Sequence, residues 1–363
     1  MPPCLHLRLI LPGLLWPDKV FHDICADLDL PALSWLLGRA RITPWPATQP
    51  IPAPEEIIYT ALGLLQNPRQ SPPPYAALRL LGEDGAPEQA VWLCADPLHL
   101  NVEQRRLTLG QDTPPADAEE LAEIVDALNP LFAETGTLVA GCNGHAYLRL
   151  ATLTLPDLQT TPPAQASNLN AMLPQGNDAL HWRQRINEAQ MLLHTLPCNA
   201  RREQRGIPRL NTLWLWGAGT LPAAMPPPAQ QLRLFGDAEN AILKGMAQRA
   251  GTTLEPLPPL HTLLPTLNSD TRSLCLLAPL QAPARAYDAL RWREILLQLE
   301  HDWFAPLRLA LSRGQLRHLQ ITALGDDAAS ACDITLSSRD CLRFWRRPRA
   351  LHSLSASPSK AAS

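Results

Sequence analysis

Apolar and polar positions recur along the chain with two periods, one typical of strands and the other of helices. Strand patterns cover Leu5–Leu11, Tyr75–Leu81, Ala90–Ala95, His145–Leu150, Asn211–Trp216, Leu232–Phe235, Leu274–Ala278 and Leu316–Ala323. Helical patterns cover Ala32–Leu37, Pro54–Leu65, Ala116–Phe132, Asp178–Leu196, Ala238–Gly251 and Tyr287–Phe304. Because strands and helices alternate, above all after residue 230, we predict an α/β fold with a doubly wound, mostly parallel sheet.

Clumps of proline divide this pattern. Proline accounts for 38 of the 363 residues and interrupts both ladders and helices, so the clumps mark loops and junctions. The α/β pattern of residues 1–90 resumes near residue 230. We therefore predict a core domain over 1–90 and 230–350, with a smaller α/β domain inserted over 91–229. The Ser-, Ala- and Lys-rich end, 351–363, is predicted to be disordered.

Composition and charge narrow the class of protein. A hydrophobic content of 46% indicates a globular chain, and a net charge of −3 provides no overall basic field. No apolar run approaches the roughly 20 residues of a membrane span. We therefore expect a cytoplasmic protein that binds neither nucleic acid nor membrane. The eight cysteines lack zinc spacing, so we expect reduced thiols, no metal and no other cofactor.

The densest group of polar and ring side chains lies in residues 173–219. Its members recur on and after a predicted helix and include His181, Arg183, Arg185, Asn199 and Arg202. Because a guanidinium presents a fork of donors that matches phosphate or carboxylate, the group predicts an anion-binding surface. The alternative is a helix face held by salt bridges to nearby glutamates. A second arginine cluster, at 343–349, is interpreted as a solvated face.

Asp96 and His99 form a second candidate pair, directly after a predicted strand. An acid and an imidazole at this spacing can act as base and orienter, although aspartate in a proline-containing turn commonly caps that turn. Gly217-Ala218-Gly219, which closes the polar stretch, is more typical of a turn than of a ligand-binding loop. The candidate binding residues of the chain are Asp96, His99, Gln175, Asp178, His181, Arg183, Arg185, Asn199, Arg202 and Asn211.

Part of the polar stretch resembles the archaeal-type, cofactor-independent phosphoglycerate mutases. The run Leu193–Arg202, then Gly206, Pro208, Asn211 and Gly217-Ala218-Gly219, is similar to that family's His-Pro-x-Asn-x-x-Arg, Gly, Pro-Ala-Asn and Arg-Gly-Ala-Gly pattern. Fainter similarity to the family's first helix, its nucleophile segment and the return of its chain to the core covers Pro31–Ala40, Pro52–Pro68 and Lys244-Gly245.

The segments Leu173–Arg183 and Leu213–Gly217 resemble a bacterial set of RpfE-type regulatory proteins, which are themselves phosphoglycerate mutase-like. This resemblance covers most of the chain. It implies an alkaline-phosphatase-like α/β core with an inserted smaller α/β domain.

The sequence departs from the mutase pattern at the positions that carry the mutases' chemistry. The mutases bind two divalent metals through Asp and His at the C-terminal ends of core strands, where this chain has Pro12-Gly13 and Leu324-Gly325. Their nucleophilic serine is replaced by Pro52-Ala53-Pro54, and the nearest hydroxyl belongs to Thr48. The arginine of Arg-Gly-Ala-Gly is Trp216.

These departures predict a catalytically degenerate, phosphoglycerate mutase-like pseudoenzyme. We expect it to bind a small anionic metabolite or a protein partner in a regulatory role, because the insertion motif is retained while the nucleophile and metal positions are missing. The alternative is an active metal-dependent phosphomutase or phosphohydrolase with displaced ligands such as Asp96 and His99. A purely structural interaction protein is a third reading.

Overall fold

The computed structural model of the chain describes residues 6–17, 20–46, 51–64, 72–103, 106–110, 113–152, 158, 173–174, 178–221, 231–267, 271–325 and 331–354. Its strands are β1 (His6–Pro12), β2 (Arg41–Pro44), β3 (Trp92–Leu98), β4 (Leu100–Glu103), β5 (Arg106–Leu109), β6 (Gly136–Ala140), β7 (Ala146–Leu150), β8 (Thr212–Gly219), β9 (Gln231–Gly236), β10 (Leu254–Pro256), β11 (Thr271–Leu276), β12 (His318–Leu324) and β13 (Ala331–Ser337).

The α-helices are α1 (Phe21–Cys25), α2 (Pro31–Arg39), α3 (Pro54–Ala61), α4 (Tyr75–Gly82), α5 (Ala118–Phe132), α6 (Ala179–Thr195), α7 (Pro197–Gln204), α8 (Ala241–Arg249), α9 (Leu260–Leu263), α10 (Gln281–Arg285), α11 (Ala289–Leu299) and α12 (Ala305–Ser312). A π-helical turn, Glu300–Phe304, joins α11 to α12. Short 3-10 turns cover Leu264–Thr266, Ser338–Leu342 and Leu351–Leu354.

The chain divides into two compact units. The first comprises residues 1–58, 226–238 and 251–363, and the second comprises 59–225 and 239–250. The second unit therefore begins ahead of the predicted boundary at 91, and it includes α8, which the prediction placed in the core domain. The predicted tail opens on the 3-10 turn at 351–354, in which Leu351 is buried, and its residues 355–363 lie outside the described residues.

The first unit is built on a mostly parallel sheet. Among its described strands the order is β10-β9-β11-β1-β12-β13-β2, with β13 antiparallel to both of its neighbours. β1 lies between β11 and β12 and is apolar almost throughout, as a parallel strand covered on both faces must be. α2 begins with Pro31 in its first turn, and the buried Glu300 carboxylate accepts from the backbone N–H groups of Ala32 (2.5 Å) and Leu33 (3.0 Å). The predicted α/β class is confirmed.

The second unit is built on a smaller antiparallel sheet with helices on both faces. Its described strands lie in the order β6-β7-β3-β8, with β4 and β5 forming a separate hairpin. Alternate residues of β3 face opposite ways. Leu93 and Ala95 pack into the cluster formed by α5 and α6, whereas Cys94 and Asp96 lie on the side of α4.

α4 and α8 of the second unit touch backbone to backbone. A Cβ atom on Gly82 would lie 1.8 Å from the Ala241 carbonyl oxygen, and one on Gly245 would lie 1.8 Å from the Leu78 carbonyl oxygen. The two helices can therefore cross at this short distance only because both positions are glycine.

Three predictions about the second unit are wrong. Tyr75–Leu81, predicted as a strand, forms α4, because a short apolar run can form either element and packing against α8 stabilises the helix. Asp96 and Pro97 continue β3 instead of interrupting the sheet. Gly217-Ala218-Gly219 lies within β8, not in a turn. Its glycines allow close approach, since a Cβ on Gly219 would lie 2.7 Å from Cα of Pro74. The predicted end of a helix before Pro197 is confirmed, since α6 ends at Thr195, and a second helix, α7, begins at Pro197.

Candidate functional site

Two of the candidate binding residues hold the backbone of the second unit together. The Asn199 amide donates to the carbonyls of Leu193 (2.7 Å) and Leu210 (2.9 Å) and accepts from the Leu210 N–H (2.8 Å). Asn211 exchanges two hydrogen bonds with the backbone of Leu100, at 2.8 and 2.9 Å. These amides replace ladder hydrogen bonds where the chain is irregular, so their contacts are structural.

Arg202 is buried and bonded through every nitrogen of its guanidinium. It donates to Glu120 (2.7 Å) and to the carbonyls of Pro208 (2.9 Å) and Pro114 (2.6 Å). Glu120 is also the third residue of α5, where it completes a capping box with Asp117. The predicted anion-binding arginine is therefore the centre of a buried ion pair that joins α5 to α7.

Asp96 is the acceptor at the centre of a second buried cluster. Arg79 of α4 donates to both of its carboxylate oxygens, at 2.9 and 2.7 Å, and the Trp216 indole donates at 2.8 Å. The Arg79 guanidinium also donates to the Tyr147 hydroxyl (3.0 Å) and lies over the Tyr147 ring, 4.8 Å from its centroid. Sequence reasoning missed Arg79 because it assigned this segment to a strand.

Opposing effects set the pKa values in this cluster. Burial favours protonated Asp96, but the charge and hydrogen bonds of Arg79 outweigh it and hold the pKa of Asp96 below its usual range. Burial opposes the charge on Arg79, but Asp96 raises the pKa of that guanidinium well above normal. Burial also raises the pKa of the neighbouring Cys94 thiol. Both members of the pair are therefore charged at neutral pH.

His99 is not the partner of Asp96. Its Nδ1 donates to the Arg209 carbonyl (2.7 Å), and its Nε2 lies 3.0 Å from the side-chain oxygen of Asn101. The ring thus joins the start of β4 to the segment before β8. Asp96 and His99 therefore do not form the base–orienter pair, which was one of two readings of the sequence, because both groups have other partners.

Glu83 and His145 continue the polar cluster toward the surface. His145 donates to the buried Glu83 carboxylate at 2.5 Å, and the Cys142 N–H donates to the same group at 3.1 Å. Burial alone would raise the pKa of Glu83, but these hydrogen bonds lower it below the ordinary value of 4.5. A carboxyl whose pKa is lowered by folding stabilises the fold fully above its unfolded pKa. That stability is lost as the pH falls through the folded pKa.

We expect Glu83→Gln to lower the free energy of unfolding at pH 7 by about 1.5–3 kcal/mol, the range for a hydrogen bond to a charged group. The difference between wild type and variant should shrink as the pH falls from 5 toward 3, because protonation removes the wild-type advantage. Urea unfolding at a series of pH values measures both quantities. Glu88→Gln, which alters an exposed pair with Arg149, serves as the control. A difference that stays constant with pH would refute the linkage.

The remaining candidates lie on the exposed side of α6. Asp178 occupies the N-cap position without a side-chain bond to the helix, and His181 makes an edge contact with Trp182, with ring centroids 5.6 Å apart. Arg183 donates to the Pro174 carbonyl (2.9 Å), and Arg185 pairs with Glu188 (3.3 Å) and Glu134 (3.7 Å). This matches the alternative of a helix face held by salt bridges. Gln175 lies outside the described residues.

A groove of about 600 Å³ lies beside the C-terminal half of α6. It brings together Asn199 and Asn211 from the candidate set with two residues outside that set, Arg209 and His194. Arg209 donates to His194 Nδ1 (3.4 Å) and forms an ion pair with Glu203. The groove therefore places one guanidinium and one imidazole at a partly solvated opening. Its other lining residues are Asn187, Gln190, Met191, Thr195 and Leu210.

In the first unit, apolar residues lie at the C-terminal ends of β1 and β12. These strand ends form the edge where ligands bind in parallel α/β sheets. β1 ends at Pro12, and the Gly13 N–H donates to the carbonyl of Leu324 at the end of β12 (2.9 Å). The Trp292 indole donates to the Gly13 carbonyl (2.7 Å) and its ring packs edge-on against Trp16, with centroids 5.5 Å apart. Apolar side chains thus cover these strand ends, all of them buried: Leu14, Leu15, Trp16, Leu280, Trp292 and Leu324.

Comparison with known proteins finds sequence similarity to a phosphoglycerate mutase over part of the chain. No protein-family model matches the chain. It is 31% identical over 146 residues to a 2,3-bisphosphoglycerate-independent phosphoglycerate mutase of Methanothrix thermoacetophila, a match that covers 39% of this chain and 36% of the relative. The match therefore spans about a third of the relative's length.

Solved structures extend the similarity over nearly the whole chain. A cofactor-independent phosphoglycerate mutase from Thermoplasma acidophilum matches with a TM-score of 0.50 and 16% identity, covering 97% of this chain and 95% of that one. A protein of Pyrococcus horikoshii matches with a TM-score of 0.55 and 15% identity, covering 93% and 88%. The chain has a phosphoglycerate mutase-like fold. Its mostly parallel sheet agrees with the predicted alkaline-phosphatase-like core.

The described residues of this phosphoglycerate mutase-like chain do not fit a pair of divalent metals. Such ions need oxygen or imidazole ligands, and the ends of β1 and β12 offer Pro12, Gly13 and Leu324. Within the described ranges, no three His, Cys, Asp or Glu side chains gather at a metal-binding distance. Thr48, the nearest hydroxyl to the nucleophile position, lies outside those ranges.

Two further findings concern thiols and membranes. The cysteines of the described ranges carry free thiols, and most of them are buried: Cys25, Cys94, Cys142, Cys198, Cys275, Cys332 and Cys341. In the part of the chain that the structure describes, none of the helices combines the length and the apolar character that crossing a bilayer requires.

Proposed function

We propose that this chain is a catalytically degenerate, phosphoglycerate mutase-like protein that binds a small anionic metabolite or a protein partner in a regulatory role. The observation that supports degeneracy is the apolar cover over the C-terminal strand ends. Gly13 is bonded to Leu324 and Trp292 where the mutase pattern has metal ligands. The regulatory role rests on the resemblance to RpfE-type proteins.

The chemistry of phosphoryl transfer explains why this cover matters. The reaction requires a nucleophile and positive charge that stabilises the oxygens of the transferred group. At the start of α3 the nucleophile position is Ala53-Pro54, whose backbone carbonyl at Ala53 accepts from Glu56 (2.9 Å). An alanine and a proline offer no nucleophilic atom, so the mutase route has no attacking group there.

Arg209 and His194 support the binding part of the proposal. They are the cationic and titratable groups of the groove beside α6, and Arg209 is partly exposed. A phosphate or carboxylate placed there would replace Glu203 as the partner of the guanidinium. The groove is therefore our proposed binding site for the anion, within the motif that resembles the mutases.

The alternative, an active phosphomutase or phosphohydrolase that uses Asp96 and His99, has less support. Asp96 already accepts three hydrogen bonds from Arg79 and Trp216, and both nitrogens of His99 have partners. A general base needs a free lone pair directed at its substrate.

We expect the purified chain to bind 3-phosphoglycerate without converting it, and to bind Mn²⁺ only weakly. Titration calorimetry and a mutase assay with added Mn²⁺ measure these properties. Arg209→Ala should weaken binding of 3-phosphoglycerate by about 10–100-fold, the effect of a charge-assisted hydrogen bond. Glu203→Gln should strengthen it, because the guanidinium loses its competing carboxylate.

The control for this experiment is Arg205→Ala, which removes an exposed arginine directly after α7 and outside the groove. Turnover of phosphoglycerate, or tight stoichiometric binding of Mn²⁺, would refute degeneracy. Equal affinities of wild type and Arg209→Ala would remove the groove from the proposal.

A further inference from the structure

A short segment near the end of the first unit exposes large apolar side chains. Leu342 is 72% exposed, Phe344 82% and Trp345 67%. Isolated exposed apolar residues are common, but three within four positions form a contiguous patch that water solvates poorly. We call this segment, residues 342–349, the arginine–aromatic patch.

The patch is strongly basic. Residues 339–349 contain five arginines and one acid, Asp340, although the whole chain has a net charge of −3. Asp340 has partners of its own: it pairs with Arg343 at 2.9 Å, and it accepts a hydrogen bond from Ser337, the N-cap residue of the 3-10 turn that contains it. Arg346 and Arg347 are exposed and directly follow the two aromatic residues in the chain. The local charge is therefore positive and is not neutralised within the segment.

The segment is held in place by the first unit. The Arg349 N–H donates to the Ser34 carbonyl of α2 (2.9 Å), and the close approach of the Arg347 backbone to Gly38 excludes a Cβ there. Within the patch, the Phe344 and Trp345 rings meet edge to face with centroids 5.2 Å apart. The exposure of these rings is thus a property of a fixed loop, which lowers the entropy lost on binding.

Charge complementarity identifies the occupant as anionic. A second copy of the chain docked face to face would oppose two sets of arginines, which is unfavourable. A nucleic acid would match the arginines and stack on aromatic rings, but it has no apolar surface for Leu342. The surface of an anionic bilayer matches both features, because phosphate headgroups overlie hydrocarbon and tryptophan and arginine side chains reach between the two.

We propose that the arginine–aromatic patch docks this protein on anionic lipid bilayers, with Phe344 and Trp345 at the headgroup–hydrocarbon boundary and Arg346 and Arg347 on the phosphates. This proposal is independent of the groove in the second unit. It differs from the expectation drawn from net charge, since a chain-wide sum of −3 conceals a local basic surface.

Flotation with phosphatidylcholine vesicles that contain phosphatidylglycerol, compared with pure phosphatidylcholine vesicles, tests the proposal on the full chain. Wild type should float with the anionic vesicles only, and added salt should release it. Arg346→Glu with Arg347→Glu should weaken partitioning about tenfold or more. Phe344→Ala with Trp345→Ala should have a similar effect, since both rings leave the boundary.

Leu290→Ala and Arg291→Glu, at another exposed apolar–arginine pair of the first unit, are the matched controls and should float as wild type does. Equal melting temperatures of all variants establish that folding is unchanged. Failure of wild type to float with anionic vesicles would overturn the proposal. Two other results would also overturn it: binding to a single-stranded oligonucleotide that is tighter than binding to vesicles, or a dimer in sedimentation. Either result counts if the patch variants abolish it.

Discussion

Replacing Asp96 with alanine should destabilise the protein by about 3–5 kcal/mol, because it leaves the Arg79 guanidinium buried without its counter-charge. Arg79 and Asp96 are both buried, and their two hydrogen bonds of 2.9 and 2.7 Å form a fork between α4 and β3. The same substitution removes the acceptor of the Trp216 indole. The loss therefore combines an uncompensated charge with an unsatisfied donor in a low-dielectric interior.

A double-mutant cycle separates the pair from its burial. Arg79→Met alone should also be strongly destabilising, whereas Arg79→Met combined with Asp96→Ala should cost less than the sum of the two single changes, because no charge remains buried. Urea unfolding measures all three variants. Glu88→Ala, which breaks the exposed pair with Arg149, is the control and should change stability by at most about 1 kcal/mol.

The same cycle bears on function. If Asp96→Ala abolished a phosphatase or mutase activity while leaving the free energy of unfolding unchanged, Asp96 would be a catalytic residue and its structural assignment would be wrong.

Replacing Gly245 with alanine should cost at least about 3 kcal/mol, at the upper end of the range for overpacked interiors. The added methyl would lie 1.8 Å from the Leu78 carbonyl oxygen, far inside van der Waals contact. The obstacle is backbone in the middle of α4, so no side-chain rotation relieves the clash and one helix must move. Gly82→Ala should behave in the same way, because its methyl would meet the Ala241 carbonyl oxygen.

Gln248→Ala, on the exposed side of α8, is the matched control for this prediction. It also adds helix propensity without a new contact, so we expect a change within about 0.5 kcal/mol. Thermal and urea unfolding measure all three variants. A Gly245→Ala protein as stable as wild type would show that α4 and α8 do not cross at these glycines.

Elements with strong local signals could be predicted from the sequence. β1 and α5 appear close to their predicted bounds, and α5 begins with a capping box at Asp117 and Glu120. The short apolar run at Tyr75 has the composition of both a buried strand and a buried helix, and only its packing against α8 distinguishes them. The strand β13, which is not among the predicted elements, pairs with β12 and β2, so its evidence lies in neighbouring strands.

The candidate site was less predictable because its residues interact over long separations. Glu120 and Arg202 lie 82 positions apart, and Asp96 and Trp216 lie 120 apart. A sequence shows that an arginine or an aspartate is present. It does not show whether the charged group already forms hydrogen bonds or an ion pair with another side chain. Most of the candidates that the structure describes form hydrogen bonds or ion pairs within the protein. Arg209 and His194, which were not candidates, meet in a groove because the end of α6 lies next to the segment before β8.

The sequence alone showed the polar stretch at 173–219 and the resemblance to the phosphoglycerate mutases. It also showed Pro12 and Leu324 at positions where the mutase pattern has metal ligands. These features depend only on which residues are present. Only the tertiary structure showed that Asp96 is held by hydrogen bonds from Arg79 and that Trp16 and Trp292 cover the strand ends. It alone also showed that Phe344 and Trp345 are exposed. The physical reason is that burial and partnership are properties of spatial neighbours, and those neighbours are brought together only by the folded chain.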